Sequence, residues 1–415
     1  MKVIQINCVY ARGSTGKIVR DIHIDLLDRG VDSYVIHSIS RKNETDSRIF
    51  GISNRILSIL TKIFRVLSGK QFSGAHIQTN RLLKLIKKIN PDVVHIHCIN
   101  GNNINVYRLL TYLSKQKLYT ILTLHAEFPY TGGCAHAYEC EKWKSECKKC
   151  DRIRKETGAL FDRTKHTWKN YVDCYKQFNS DNLLIIAVSP WLLKRVEQSP
   201  ILAPFKKKCI FNGIDEKIFY RRSIDSSLIL QYLPNFQNEK IVFHVTAHFN
   251  VNINDGKGGH YFLELAERLK GLPIRFLIVA NTANFYELPE NVTYIGAISA
   301  QEKLAALYAL SDLTIITSKK ETFSMPVAES LACGTPVVGF CAGGPESIGL
   351  EKFSAFVEYG NIEKLCHKVE EFLYVKKFDR DEISQAAIQK YAKRNMIKEY
   401  FNCYKKLNAG RISYL

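Results

Sequence analysis

Two carboxylates with seven residues between them, Glu321 and Glu329, frame the stretch of this chain richest in possible chemistry. Just before them, Leu313 to Thr317 is a short apolar run that predicts a buried strand. Pro326 stands where a helix would open, and proline is tolerated in a first turn. Gly334 predicts its end, and Pro336 to Phe340 predicts another buried strand. In a strand–loop–helix–strand unit of this kind, Glu321 lies at the carboxyl end of a strand, where open α/β sheets bind ligands. Glu329 lies one turn into the helix. Between them, Thr322 to Met325 brings backbone N–H groups to a helix N-terminus, a ready anion site. A carboxylate accepts two hydroxyl hydrogen bonds at once. Acid, anion cradle and acid therefore suit a ligand carrying hydroxyls, phosphate and hydroxyls in that order, and a nucleotide sugar is one. Either acid alone reads as a solvated surface group. The pair, followed by Gly343-Gly344-Pro345-Glu346 after the second strand, argues for a site.

The run from Lys319 to Ser347 resembles the E-x7-E signature of the retaining family 4 glycosyltransferases of the GT-B fold. The resemblance implies that Glu321 faces the donor sugar and that Glu329 holds the ribose hydroxyls. It also implies that Phe323, Ser324 and Met325 supply N–H groups to the donor. Further stretches are similar to the same family. Pro91-Asp92-Val93-Val94-His95-Ile96-His97 matches its P-D-[IV]-[IV]-H-x-H strand. Thr123-Leu124-His125 matches the strand end whose histidine reaches the donor sugar, but the acid that follows is displaced to Glu127. Asn212-Gly213-Ile214-Asp215 matches the element joining two domains, and Lys257-Gly258 the lysine–glycine pair that brackets the donor diphosphate. The arginine that family members carry upstream of that pair is missing: Thr246 to Gly256 contains none, and the loop from His248 to Gly259 looks lengthened.

Other elements read from the residues alone. Gly13 and Gly16 follow a first strand, Val3 to Val9, but they do not form a phosphate-binding P-loop. The glycine spacing differs, and Ile18 stands where a hydroxyl is required. The turn reads instead as a strand-to-helix connection in which Gly16 lets a ligand approach the backbone, or as a tight turn without one. His95 and His97 share one strand face with no acid in the run, which favours a structural or ligand-lining role without metal. Residues 224 to 240, with Pro234, look irregular. Strands and helices alternate through both halves, as a parallel sheet requires.

Composition bounds the rest. The chain has 415 residues, 46% hydrophobic and 24% charged, enough for two or three ordinary domains. No apolar run approaches a membrane span, and the first strand is too short in apolar residues for a signal peptide. The formal net charge is +19, which implies an acidic partner: nucleic acid, an anionic membrane surface or a polyphosphate ligand. Wound as a helix, Arg55 to Ser68 has one apolar half and a polar half with cations and no acid, and Arg81 to Lys88 repeats the theme. Such a helix lies on an anionic membrane or packs on its own domain. Twelve cysteines without a signal peptide point to a reducing compartment. Cys134, Cys140, Cys147 and Cys150 gather in one polar loop, and the last two have zinc-knuckle spacing. A structural zinc and a set of reduced thiols are both open.

These readings predict an α/β protein of GT-B type, with two Rossmann-like parallel-sheet domains facing an interdomain cleft. Residues 1–205 would form an acceptor-binding domain carrying the cysteine loop 126–155. Residues 206–390 would bind the nucleotide sugar, and 391–415 would form a helix crossing back. The resemblance implies transfer of a sugar, with retention, from a nucleotide-diphosphate sugar to a polyprenyl-diphosphate-linked saccharide in bacterial O-antigen, capsule or exopolysaccharide synthesis. Expected catalytic residues are Glu321, Lys257 and His125. Expected donor contacts are Gly16, Gly258, Phe323, Ser324, Met325 and Glu329. No cofactor is expected for catalysis. The expected place is the cytoplasm, at the anionic inner-membrane surface. An epimerase of the same fold is the alternative. Nucleic-acid binding is disfavoured, because aromatics are scattered and cations sit on helices.

Overall fold

The computed structural model describes all residues except 40–45, 224–226, 228–230, 234–235, 286 and 409–415. Part of the stretch read as irregular, including Pro234, therefore lies outside the described residues. The chain divides into two compact units. The first comprises Met1–Phe211 and Met396–Leu415, and the second Asn212–Asn395.

In the first unit, β1 (Lys2–Asn7), β2 (Asp32–Ile39), β3 (Ile49–Ser53), β4 (Val93–Ile96), β5 (Tyr119–Leu124), β6 (Leu183–Ala187) and β7 (Lys206–Cys209) form one sheet. Its order is β3-β2-β1-β4-β5-β6-β7, and every pair is parallel. Parallel strands need crossovers, and here helices supply most of them: α1 (Gly13–Asp28), α2 (Arg55–Ser68), α3 (His76–Ile89), α4 (Val106–Lys115), α5 (Thr164–Tyr175) and α6 (Pro190–Gln198). Inner strands of such a sheet are covered on both faces, so they need no polar–apolar alternation. Leu183-Leu184-Ile185-Ile186-Ala187 is fully buried along its length for this reason.

The second unit repeats the plan with six strands: β8 (Lys240–Asn250), β9 (Ile274–Asn284), β10 (Val292–Gly296), β11 (Leu313–Ile316), β12 (Val337–Phe340) and β13 (Ser354–Val357). The order is β10-β9-β8-β11-β12-β13, again all parallel. Its helices are α7 (Gly259–Arg268), α8 (Gln301–Leu310), α9 (Met325–Ala332), α10 (Gly344–Ile348), α11 (Ile362–Glu370) and α12 (Arg380–Tyr391). In each sheet the winding reverses beside the first strand, between β1 and β4 and between β8 and β11. Ligands of doubly wound folds collect at the carboxyl ends of such strands.

The last helix, α13 (Lys393–Asn408), belongs to the first unit from Met396 onward. Met396, Ile397, Tyr400, Cys403, Tyr404 and Leu407 join Val3, Ile18, Val93 and Ile121 in one core. Where the second unit begins and ends, its two chain segments are zipped together. Ile214 bridges Ala392, the Ile214 N–H donates to the Tyr391 carbonyl at 2.9 Å, and Lys393 pairs with Asp215 at 2.6 Å. The Asn212-Gly213-Ile214-Asp215 run thus anchors the outgoing chain to the returning one.

Two elements depart from the sequence reading. The first helix starts at Gly13, so Gly13 and Gly16, read as a strand-to-helix connection, both lie inside it. The stretch from His248, expected as loop, begins as strand. His248, Phe249 and Asn250 pair with Thr282, Ala283 and Asn284, so β8 and β9 run on together.

Candidate functional site

The second unit gathers three of the expected site residues at the carboxyl end of β11. Lys257 Nζ donates to Glu321 Oε1 at 2.8 Å, and the Ser318 hydroxyl donates to the same oxygen at 2.8 Å. Burial alone would raise the Glu321 carboxyl. The charge and hydrogen bond of Lys257, aided by Ser318, outweigh it and hold the group at about 2. Glu321 is therefore a carboxylate at any physiological pH. Glu329, one turn into α9, is half-buried and accepts a hydrogen bond from the Tyr308 hydroxyl at 3.3 Å. Burial and the charges of both glutamates push the Tyr308 phenol well above its ordinary range, so both carboxylates bear on one tyrosine.

Glycines make this assembly possible. Gly258 has φ of +68°, and a Cβ there would lie 2.2 Å from the Thr317 carbonyl oxygen. A Cβ on Gly259 would lie 2.5 Å from the Asn250 carbonyl oxygen. No other residue lets the lysine loop seat this closely against β11 and the end of β8. Thr317 Oγ1 then donates to the Lys257 carbonyl at 2.9 Å, and the Lys319 N–H to the Gly256 carbonyl at 2.8 Å. On the other side, the Glu321 N–H donates to the Ala342 carbonyl at 2.9 Å, and the Gly344 N–H to the Glu321 carbonyl at 2.8 Å. A Cβ on Gly344 would stand 2.5 Å from the backbone of Thr322 and Phe323. The Gly343-Gly344 pair thus serves the backbone behind Glu321. The amides of Ala342 and Gly343 are capped by Glu346 at 2.7–2.8 Å, so this start of α10 is closed by the chain itself.

Ser324, the residue before α9, is buried with φ of 85° and ψ of 91°. A non-glycine residue held there stores on the order of 1–3 kcal/mol, and such outliers collect at ligand sites. The Phe323 ring is buried against Tyr391, so any ligand contact at Phe323 would run through the backbone. Beneath the pair, His244 on β8 bonds the Ile315 carbonyl at 3.1 Å. Burial lowers it to about 4, so it is neutral, and it senses both Lys257 and Glu321. Sequence reasoning missed His244, Ser318 and Tyr308. Ser318 stood three residues from Glu321, but nothing in the pattern marked the other two.

The expected arginine is absent from the stretch before Lys257. There the structure has an exposed His248 paired with Asp255 at 3.0 Å. Lys319 and Lys320, half-buried beside Glu321, are the cations nearest in sequence.

His125 lies in the first unit, at the end of β5. It stacks on His97, with His97 Nδ1 and His125 Nε2 3.4 Å apart. Burial lowers His125 to about 4, and His97 and His95 well below their ordinary value. His95 is held by the Tyr404 hydroxyl at 2.6 Å and Thr123 Oγ1 at 2.8 Å. Glu127 is fully buried, paired with Arg195, and accepts from the Tyr130 hydroxyl and the Ala137 N–H at 2.8 Å each. It ties down the cysteine loop. Gly16 is buried, and the space over it is taken by the chain's own Val9 and Ala11 at 3.1–3.3 Å. A side chain at Gly16 would therefore press on the Val9 side chain and on the backbone of Val9 and Ala11.

Cys134, Cys140, Cys147 and Cys150 line one small cavity of about 30 Å³. All four are free thiols, and burial pushes Cys147 up to about 12. Among the described residues no three His, Cys, Asp or Glu side chains are already grouped to hold a metal ion.

Residues 235–394 match the family model described as glycosyl transferases group 1, and residues 24–146 match glycosyl transferase 4-like. Among curated proteins, the chain is 21% identical to the putative colanic acid biosynthesis glycosyl transferase WcaC of Escherichia coli K12, covering 98% of this chain and 100% of that one. It is 22% identical to an uncharacterized 41.2 kDa protein in the cps region of Klebsiella pneumoniae, over 92% and 99%. Among solved structures, a sucrose-phosphate synthase from Thermosynechococcus elongatus superposes with a TM-score of 0.69 at 15% identity, over 99% and 100%. Anabaena Alr3699/HepE in complex with UDP-glucose superposes at 0.65 and 16%, over 98% and 100%. These likenesses show the fold.

Proposed function

From the premise that this chain is a glycosyltransferase of the GT-B fold, glycosyl transferase 4-like over residues 24–146 and of group 1 over residues 235–394, we propose that it draws its sugar from a nucleotide-diphosphate donor held by the second unit. The observation that carries this is the Lys257–Glu321 pair at 2.8 Å, set at the carboxyl end of β11 before a helix that carries Glu329. Lys257 meets the charge of the leaving diphosphate, and the N–H groups from Phe323 to Met325 share it. Fixed charges and dipoles aimed at a developing anion lower a barrier without reorganising. Glu321 accepts from the sugar hydroxyls and Glu329 from the ribose. The bond from the anomeric carbon to diphosphate breaks, and a bond to the acceptor oxygen forms on the same face. The acceptor proton passes to the leaving phosphate, so no protein nucleophile is needed.

The acceptor we propose is a polyprenyl-diphosphate-linked saccharide for a bacterial surface polysaccharide such as O-antigen or capsule, used on the cytoplasmic face of the inner membrane. The names of the colanic acid and cps-region relatives support the polysaccharide part of this reading, and the UDP-glucose bound by one structural neighbour supports the nucleotide-sugar donor. A panel of nucleotide sugars, read as free nucleotide released with and without acceptor, tests it. Glu329→Ala should abolish donor affinity by calorimetry; unchanged affinity would remove the ribose contact.

For the cysteine loop we propose a structural zinc on which the four cysteines lining the cavity close, their thiols giving up protons as the metal binds. Thiolates are its usual structural ligands. Metal analysis near one zinc per chain supports this. Substoichiometric zinc with intact folding removes it.

A further inference from the structure

An ordinary surface helix buries its apolar stripe and shows its polar one. Helix α2 does the reverse. Six large apolar side chains on it are exposed: Ile56 at 70%, Leu67 at 58%, Leu60 at 56%, and Ile59, Ile63 and Phe64 between 42% and 49%. At 100° per residue these six fall within one face of the helix. Its uncharged polar residues and Arg65 are turned inward. Thr61 is buried and accepts a hydrogen bond from Gln78 at 3.2 Å, Ser58 bonds Ser53 at 3.2 Å, and Arg65 donates to the Thr157 carbonyl. The helix is held firmly in this orientation. Asn54 caps its N-terminus through the Leu57 N–H at 2.9 Å, and Gly69 ends it with φ of +70°.

A second segment enlarges the ridge. The Leu160 N–H donates to the Val66 carbonyl at 3.0 Å, and a Cβ on Gly69 would lie 2.3 Å from the Phe161 carbonyl oxygen. Leu160 and Phe161 therefore sit against the end of α2, and both are more than half exposed. Such a contiguous patch marks an interaction surface rather than scattered apolar residues.

The charge around the ridge selects the partner. Arg55 and Lys62 on the helix are exposed, as are Lys70 just after it and Arg163 beside Phe161. The helix carries no acid. The nearby Asp162 accepts from the Cys150 N–H and from Thr164. A second copy would bring the same cations face to face. An anionic bilayer supplies an apolar interior for the ridge and phosphate headgroups for its rim. Among the described residues no helix is long and apolar enough to cross a membrane.

The geometry points to α2 and residues 160–161 as a docking face for an anionic lipid bilayer, with Ile56, Leu60, Ile63, Phe64 and Phe161 entering the acyl boundary and Arg55, Lys62, Lys70 and Arg163 meeting headgroups. This deepens the proposed function by giving the lipid-linked acceptor a surface on the first unit, and it rests on that reading for its purpose alone.

The test is co-sedimentation of the full chain with vesicles of phosphatidylcholine alone or with phosphatidylglycerol, at low and high salt. The chain should bind the anionic vesicles at low salt and release at high salt. Ile63→Ser with Phe64→Ser should weaken binding by at least about tenfold, since two apolar side chains no longer leave water. Arg55→Glu with Lys62→Glu should do the same at low salt. Both pairs are exposed, so melting temperature and donor titration should match the parent. Failure of the parent chain to bind anionic vesicles overturns the proposal, as does full binding by the Ser pair. So does a dimer in solution that the Ser pair converts to monomer, which would assign the face to a second copy. Vesicle binding is read without any sugar, so its loss leaves the transfer reaction standing, and loss of transfer leaves the docking face standing.

Discussion

Removing the Lys257 ammonium strands the Glu321 carboxylate in a mostly buried place. Breaking such a pair costs more than the pair contributes, because the remaining charge has no partner. Lys257→Met should lower stability by about 2 kcal/mol, less than for a fully buried pair because the lysine is partly exposed. Adding Glu321→Gln should restore most of that in a urea titration, while sugar transfer stays lost in both variants. The same carboxylate sets an acid limit. It is held at about 2 against an ordinary 4.5, so its stabilisation is complete above 4.5 and drains away as pH falls toward 2. Over that window it is worth about 3 kcal/mol at 1.36 kcal/mol per unit. Glu321→Gln should therefore flatten the stability–pH curve between 4.5 and 2. His125 acts with the same sign in a higher range. Lowered by burial to about 4, it is neutral above pH 5, and its neutral form adds stability above 6.5 that is lost as pH falls through 4. A pH–rate profile should then show no inflection near 6.5 that His125→Asn removes.

At the scale of the element, the loops that seat the pair depend on missing side chains. Gly344→Ala and Gly258→Ala each place a Cβ within 2.5 Å of backbone atoms, which must move. Each should cost about 2 kcal/mol or more in thermal unfolding and most of the activity. Gly271→Ala, with nothing within 4 Å and no positive φ, serves as the neutral control. The strand–helix alternation that places these loops is legible from the chain itself. Continuous apolar runs such as Leu313 to Ile316 can only be inner parallel strands in that context. The extension of β8 through Asn250 is not legible, because Thr246-Ala247-His248 carries no strand period. The amphipathic pattern of residues 55–68 is also plain in the sequence, but periodicity cannot say which face turns outward. That is decided by partners far along the chain, Gln78 and Thr157. Glu321 and Glu329 were readable by spacing, whereas Tyr308 and His244 join them only through the sheet's crossovers.

At the scale of the molecule, the first unit is finished by the last helix. Tyr400, Tyr404 and Leu407 are almost fully buried in its core, and Tyr404 holds His95. Ending the chain after Asn395 should expose that core. Amide exchange should then lose protection in residues 93–97 and 119–124, while the strands of the second unit keep theirs.

A ribosome makes this protein in one direction, and the zipped segments at Ile214 and Ala392 show what that means. The earliest residues must wait, short of their final packing, until the whole of the second unit has been translated, a delay on the order of ten seconds or more at roughly 5–20 residues per second. The first unit's sheet therefore stands without its last helix for that interval. A chaperone that shields apolar surface would be needed longest by the half that emerged first.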